Sequence, residues 1–262
     1  GSSINSSVGG AALAQSAGPT DTPGAVHPAI GMDVFTSSDA DGARTLKVGV
    51  DADWRYAGPD DYLGLRLETA AFRPTDETDL DRQRLYLRFA RSADTWSWKG
   101  QIGSDGQSVI GAASVHNGER IRQEYFVERD IVESAGGVDK GLYYTFAGGA
   151  FDLPVSDRTT LAAVVGLQAF TGGNVRTHLR ANAVQVLQED WGLSAQLRAR
   201  YFRSSRPGGR DYFSPAWYTE VMPVLQVRRR YGAWRYVIAG GLGAQKTAGA
   251  SWRNTRYFNA QI

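Results

Sequence analysis

Hydrophobic and polar residues alternate along this chain with a period of two. The clearest stretch is Leu193–Arg203, L-S-A-Q-L-R-A-R-Y-F-R. Leu193, Ala195, Leu197, Ala199 and Tyr201 share one side of it, and Ser194, Gln196, Arg198 and Arg200 share the other. A strand turns successive side chains to opposite faces. At helical spacing Leu193 would share its face with Gln196 and Arg200, and no apolar stripe would form.

The signature recurs from residue 43 onward. Leu46, Val48, Val50, Ala52, Trp54 and Tyr56 oppose Lys47, Gly49, Asp51, Asp53 and Arg55. Leu63, Leu65 and Leu67 oppose Gly64, Arg66 and Glu68, and Leu85, Leu87 and Phe89 oppose Arg84, Tyr86 and Arg88. Trp96, Trp98 and Ile102 follow, set against Ser97, Lys99 and Gln101. A strand within 111–127 sets Ile121, Tyr125 and Val127 against Arg120, Arg122, Glu124 and Glu128. Leu142, Tyr144 and Phe146 alternate with Tyr143 and Thr145. Later strands place Leu161–Ala169, Leu179–Leu187, Val221–Val227 and Trp234–Leu242 in the same pattern. Gly58-Pro59-Asp60-Asp61, Ser134–Lys140 and Gly172-Gly173-Asn174 read as turns. The pattern predicts about twelve strands in an antiparallel up-and-down meander, with no helix of note.

Residues 1–28 lack periodicity and read as a flexible leader or linker, leaving 29–262 as the β domain. Ala11–Gln15 resembles the end of a secretory signal, but no basic and apolar regions precede it. A linker from an upstream segment and a cloning scar at Gly1-Ser2-Ser3 stay open as alternatives.

An all-β chain with one apolar strand face is either a soluble barrel or sandwich, or an outer-membrane barrel whose apolar face meets lipid. Three features favour the membrane barrel. Apolar faces end in aromatics near turns, as an interfacial girdle would: Trp54, Tyr56, Trp96, Trp98, Tyr201, Trp234 and Tyr236. Polar faces carry arginine and carboxylate together, as in Arg66 with Glu68 and Arg122 with Glu124. Apolar faces are also rich in Ala and Gly. A mean hydropathy of −0.35 fits either architecture, because a spanning strand alternates. A net charge of +2 offers no global case for nucleic acid, and the absence of cysteine excludes disulfides and thiolate chemistry.

Three segments carry a family resemblance: L-Q-A-F-T-G-G-N-V-R (167–176), W-G-L-S-A-Q-L-R-A-R-Y-F-R (191–203), and Y-F-S-P-A-W-Y (212–218) leading to a strand that ends R-R-R. They resemble the C-terminal outer-membrane barrels of bacterial exopolysaccharide export proteins, of the cellulose, poly-N-acetylglucosamine and Pel type. The likeness covers about seventy residues. It implies a pore for a secreted polysaccharide, with outer-membrane lipid and the exopolysaccharide as partners. It also implies a periplasmic tetratricopeptide scaffold, in the full-length protein or in a partner. Such barrels usually have sixteen strands, so the twelve read here point to a fragment or a smaller relative. The Tyr-Phe-Ser-Pro element is also similar to that of related barrels, including a phage adsorption receptor, so a non-conducting receptor or scaffold is the alternative.

The candidate lumen residues are Arg66, Glu68, Arg84, Arg88, Arg120, Arg122, Glu124, Arg180, Arg198, Arg200, Glu220, Arg228 and Arg230. Guanidinium groups bind carboxylates bidentately and hydrogen-bond sugar hydroxyls, giving a polymer many exchangeable contacts. The bland alternative is that they pair with Asp51, Asp53, Glu68, Glu124, Glu128 and Glu220 and brace the wall. Tyr212, Phe213 and Trp217 could stack on sugars, or could simply start a strand set by Pro215. Catalysis is not expected: His27, His116 and His178 are the only histidines, with no serine motif and no metal-ligand spacing. No cofactor is expected.

Overall fold

The structure is a computed structural model that describes residues 25–38, 44–73, 79–209, 211–231 and 234–261. Fourteen strands follow one another in a single antiparallel sheet, each hydrogen-bonded to its neighbours in sequence. They are β1 (His27–Ser38), β2 (Arg44–Gly58), β3 (Asp61–Arg73), β4 (Leu80–Ala93), β5 (Trp96–Ser104), β6 (Val109–Asn117) and β7 (Arg122–Ile131). After the short helix α1 (Ala135–Asp139) come β8 (Tyr143–Pro154), β9 (Thr159–Phe170), β10 (Val175–Gln188), β11 (Leu193–Ser204), β12 (Trp217–Tyr231), β13 (Trp234–Thr247) and β14 (Arg253–Gln261).

The up-and-down order matches the sequence pattern, but the count is fourteen rather than twelve. Two strands were merged or missed. The region 111–127 divides into β6 and β7, with Arg120 exposed in the connection between them rather than on a strand. β1 opens at His27, inside the segment read as a leader; most of that segment, 1–24, lies outside the described residues. The Ser134–Lys140 turn is a capped helical turn instead, with Ser134 Oγ accepting from the Gly137 N–H at 3.0 Å.

Successive connections fall at alternate ends of the strands, and the two sets differ in length. Those after β2, β4, β6, β8, β10 and β12 span two to four residues; of the others, those after β5 and β9 span four, those after β1 and β13 five, and those after β3, β7 and β11 six, eleven and twelve. Short turns at one end and long loops at the other are the habit of outer-membrane sheets.

The chain forms two compact units. The first holds 1–116, 126–145 and 210–213, and the second holds 117–125, 146–209 and 214–262. In the first, Ala70, Phe72, Tyr86, Ile110, Ile131, Val138 and Tyr143 form an apolar core, with Val138 supplied by α1. These residues lie near the long-loop ends of their strands, on the same side of β3 and β4 as Arg66, Glu68 and Arg84. In the second unit Met222, Val224 and Ala239 cluster, with Tyr257 packed against them.

Candidate functional site: a buried polar face opposite an exposed apolar face

The two faces of the strands are solvated the opposite way from those of a soluble protein. Leu65, Leu67, Leu85, Leu87, Ile102, Leu161, Leu167, Leu179, Leu225, Ile238 and Leu242 are exposed, and Leu197 at the middle of β11 is 51% exposed. Asp51, Asp53, Arg66, Glu68, Arg84, Arg176, His178 and Gln196 are buried. Single exposed leucines are ordinary, but a continuous apolar face across many strands marks an apolar environment or a partner. On β11 the apolar side runs from Leu193 to Tyr201, close to the roughly 9–11 residues of a spanning strand.

In the first unit the polar face is an ion-pair network. Arg66 donates bidentately to Asp33, at 2.5 and 3.0 Å, and also reaches Asp51 and Glu68, each at 3.1 Å. Arg84 bridges Glu68 at 3.3 Å and Asp130 at 3.2 Å. Arg88 pairs with Asp51, lies 3.3 Å from an Asp53 oxygen, and covers the Tyr62 ring at 4.2 Å. Three guanidiniums therefore face five carboxylates. Two glycines make room. A Cβ on Gly49 would fall inside the Arg66 guanidinium, and one on Gly64 would collide with the Asp53 side chain and the Ala52 carbonyl.

At the long-loop end Asp105 accepts the Tyr143 hydroxyl at 2.5 Å and the Gln107 and Ser108 N–H groups at 3.0 and 2.9 Å. Burial opposes its ionisation. The Tyr143 hydroxyl, the two N–H groups and the Arg82 guanidinium outweigh burial and hold its carboxyl below the ordinary carboxylate range. Arg82 also donates to the Val138 carbonyl at 3.1 Å, tying α1 to the same cluster. Lys140 and Ser134 hold Asp211 at 2.7 and 2.6 Å, through its side chain and its carbonyl respectively.

The second unit is built differently. Arg180 stands directly across from Arg200 in the β10–β11 register, and Arg200 stands across from Glu220 on β12. Glu220 accepts the Tyr218 hydroxyl at 2.8 Å. Arg198 donates twice to Gln196 Oε1, at 3.1 and 2.9 Å, and covers the Tyr257 ring at 4.6 Å. His178 meets Gln168 at 2.8 Å and sits between the rings of Phe146 and Phe202. Phe146, expected on the apolar face, is buried against His178 instead. Asn174, read as part of a turn, is fully buried. It binds Ser214 at 3.1 Å and the Arg206 N–H at 3.0 Å, so it anchors the long β11–β12 loop.

The remaining candidates divide. Arg122 pairs with Glu124 at 3.3 Å in an exposed position, and Arg228 and Arg230 are exposed at the end of β12. Trp54, Trp98 and Tyr201 are exposed near strand ends as girdle residues would be, while Tyr56 stacks on Tyr62 and Trp96 and Tyr236 are half-buried. Tyr212, Phe213 and Trp217 are half-buried. The side chain of Trp234 lies outside the described residues. Sequence reasoning missed Asp33 and Asp130, which complete the ion-pair network, and the exposed Trp191, Trp252 and Phe258.

Among the described residues no helix is long and apolar enough to cross a membrane, which says nothing of a β-barrel. One solved structure, a bacterial polysaccharide outer membrane secretin, superimposes with a TM-score of 0.66 over 92% of this chain and 86% of its own, at 11% identity. The fold is shared. At that identity the likeness speaks to the fold alone. No family profile and no curated protein sequence matches the chain.

Proposed function

We propose that this protein spans a bacterial outer membrane as a β-barrel and conducts a secreted polysaccharide through a polar interior. The observation that carries this reading is the reversed solvation of its strands: leucine, valine and isoleucine outward, arginine and carboxylate inward. That distribution would be costly in water and is favourable where lipid surrounds the strands. The fold shared with a polysaccharide outer membrane secretin supports the choice of cargo. In this reading Arg66, Arg84 and Arg88, each set against two or more carboxylates, brace the wall. Arg180, Arg198 and Arg200, with few carboxylates beside them, line the path. The polymer moves passively, driven by synthesis on the inner side, and a periplasmic tetratricopeptide scaffold hands it over. No chemical step is assigned to any residue.

A non-conducting receptor or scaffold is favoured by one observation, the apolar core that α1 closes over the long-loop end of the first unit. Planar-bilayer recording separates the two. A conducting barrel gives discrete steps that are reduced by an added oligosaccharide. A protein that inserts but never conducts, even after residues 135–139 are replaced by a short glycine linker, supports the receptor and ends the export reading.

A further inference from the structure

In the second unit Arg180 and Arg200 have one carboxylate, Glu220, near them on the ladder, and neither forms an ion pair among the described residues. Arg180 and Arg200 are direct cross-strand partners, a like-charge pairing that destabilises a sheet. Nε and one terminal nitrogen of Arg180, and Nε of Arg200, are buried with no hydrogen-bond partner among the described residues. His178 Nδ1 and Asn182 Oδ1, on the same face of β10, are in the same condition. Buried polar groups are nearly always satisfied. Arg84, Arg88 and Asp53 in the first unit also carry such atoms, but within ion pairs, whereas among the described residues no carboxylate lies within ion-pair distance of Arg180 or Arg200. Glu220, the carboxylate in register with Arg200, accepts the Tyr218 hydroxyl and sets one negative charge against the two guanidiniums.

The patch is also lined with rings. Phe146, His178, Phe202 and Tyr218 follow one another across β8, β10, β11 and β12 with centroids 4.9, 5.6 and 4.9 Å apart. Arg200 covers Tyr218 at 5.0 Å, and Arg176 covers Phe202 at 4.5 Å. Guanidiniums held over rings can turn their N–H edges to a planar or tetrahedral oxyanion. In the first unit the corresponding arginines differ in charge balance, because Arg66, Arg84 and Arg88 each lie against two or more of Asp33, Asp51, Asp53, Glu68 and Asp130.

We propose that Arg180 and Arg200 form a binding site for an anionic substituent carried on a sugar ring, with the Phe202–Tyr218 stack beside the ring. The site rests on the export reading and narrows its cargo to an acidic polysaccharide. Two sources share this chemistry, a uronate carboxylate and a sugar sulfate, and both are offered in the test.

The detergent-solubilised protein is titrated by calorimetry with a hexameric oligogalacturonate, a sulfated oligosaccharide of equal length, and neutral cellohexaose. At least one acidic oligomer binds about tenfold or more tightly than cellohexaose, since charge-assisted hydrogen bonds are roughly twice as strong as neutral ones. Arg180→Met and Arg200→Met each reduce that binding about tenfold. Equal affinity for acidic and neutral oligomers overturns the site, and this comparison on the unaltered protein needs no variant to fold. Preference retained in both variants overturns it as well. Bilayer conductance on the same preparation keeps the two ideas apart. Conduction without acidic preference leaves export standing and removes the site, whereas acidic binding without conduction does the reverse.

Discussion

Arg84→Met is the sharpest test of how the first unit is held together. Arg84 is 1% exposed, and its guanidinium spans Glu68 at 3.3 Å and Asp130 at 3.2 Å, with the Phe72 ring 5.7 Å away. Methionine keeps the length of the stem and removes the charge. Glu68 retains Arg66 at 3.1 Å, and Asp130 retains the Ile131 N–H at 2.7 Å. Removing one member of a buried pair costs about 3–5 kcal/mol, most of it the uncompensated charge left behind. That corresponds to a loss of roughly a hundredfold or more in the folding equilibrium. Urea unfolding in detergent or lipid, followed by tryptophan fluorescence, gives the shift in midpoint and slope. Adding Asp130→Asn to Arg84→Met should restore much of the loss, because the orphaned charge is then gone. A loss under about 1 kcal/mol, the range of exposed pairs, would refute the bracing role.

Three further outcomes follow from the same geometry. Leu197→Arg, at the middle of the exposed face of β11, should destabilise the protein in lipid by about 2–4 kcal/mol, whereas a water-facing site would tolerate it; refolding yields into vesicles decide. Gly49→Leu should drive the Arg66 guanidinium off Asp33 and Asp51 and cost several kcal/mol, about as much as removing a buried partner, measured by the same unfolding curves. Asp105 has a folded pKa below its unfolded value, so its contribution is complete above about pH 4 and fades as pH falls through the lower folded value. Asp105→Asn should therefore flatten the acid limb of the stability profile below about pH 4 and lower stability at neutral pH; an unchanged acid limb would contradict the assignment.

Face assignment was legible in the sequence because alternation is a local property. Leu197 beside Arg198, and Leu65 beside Arg66, are enough to say which residues share a side. The partners of the arginines were not legible, since they come from register and sheet order. Asp33 was passed over because Phe35-Thr36-Ser37-Ser38 blurs the period in β1, and regular alternation is read only from residue 43 onward. Asp130 was hidden because β7 ends in Glu128-Arg129-Asp130, where three charged residues in a row erase the alternation. Phe146 shows the limit of the pattern: an aromatic belongs on an apolar face by type, yet it packs inward on His178, and Gly166 opposite leaves the space for it. The difference between arginines in ion pairs in one unit and Arg180 facing Arg200 in the other is a matter of who stands across the ladder. Composition treats all of them alike.

The central claim is that the exposed apolar face meets lipid and the buried polar face meets water. The chain has no cysteine, so single cysteines at Leu197 and Arg198 report on neighbouring residues of one strand without background. In reconstituted vesicles a small aqueous maleimide should label Arg198→Cys readily and Leu197→Cys barely, with a lipid-soluble reagent reversing the order. Equal labelling of both positions by the aqueous reagent would contradict the account.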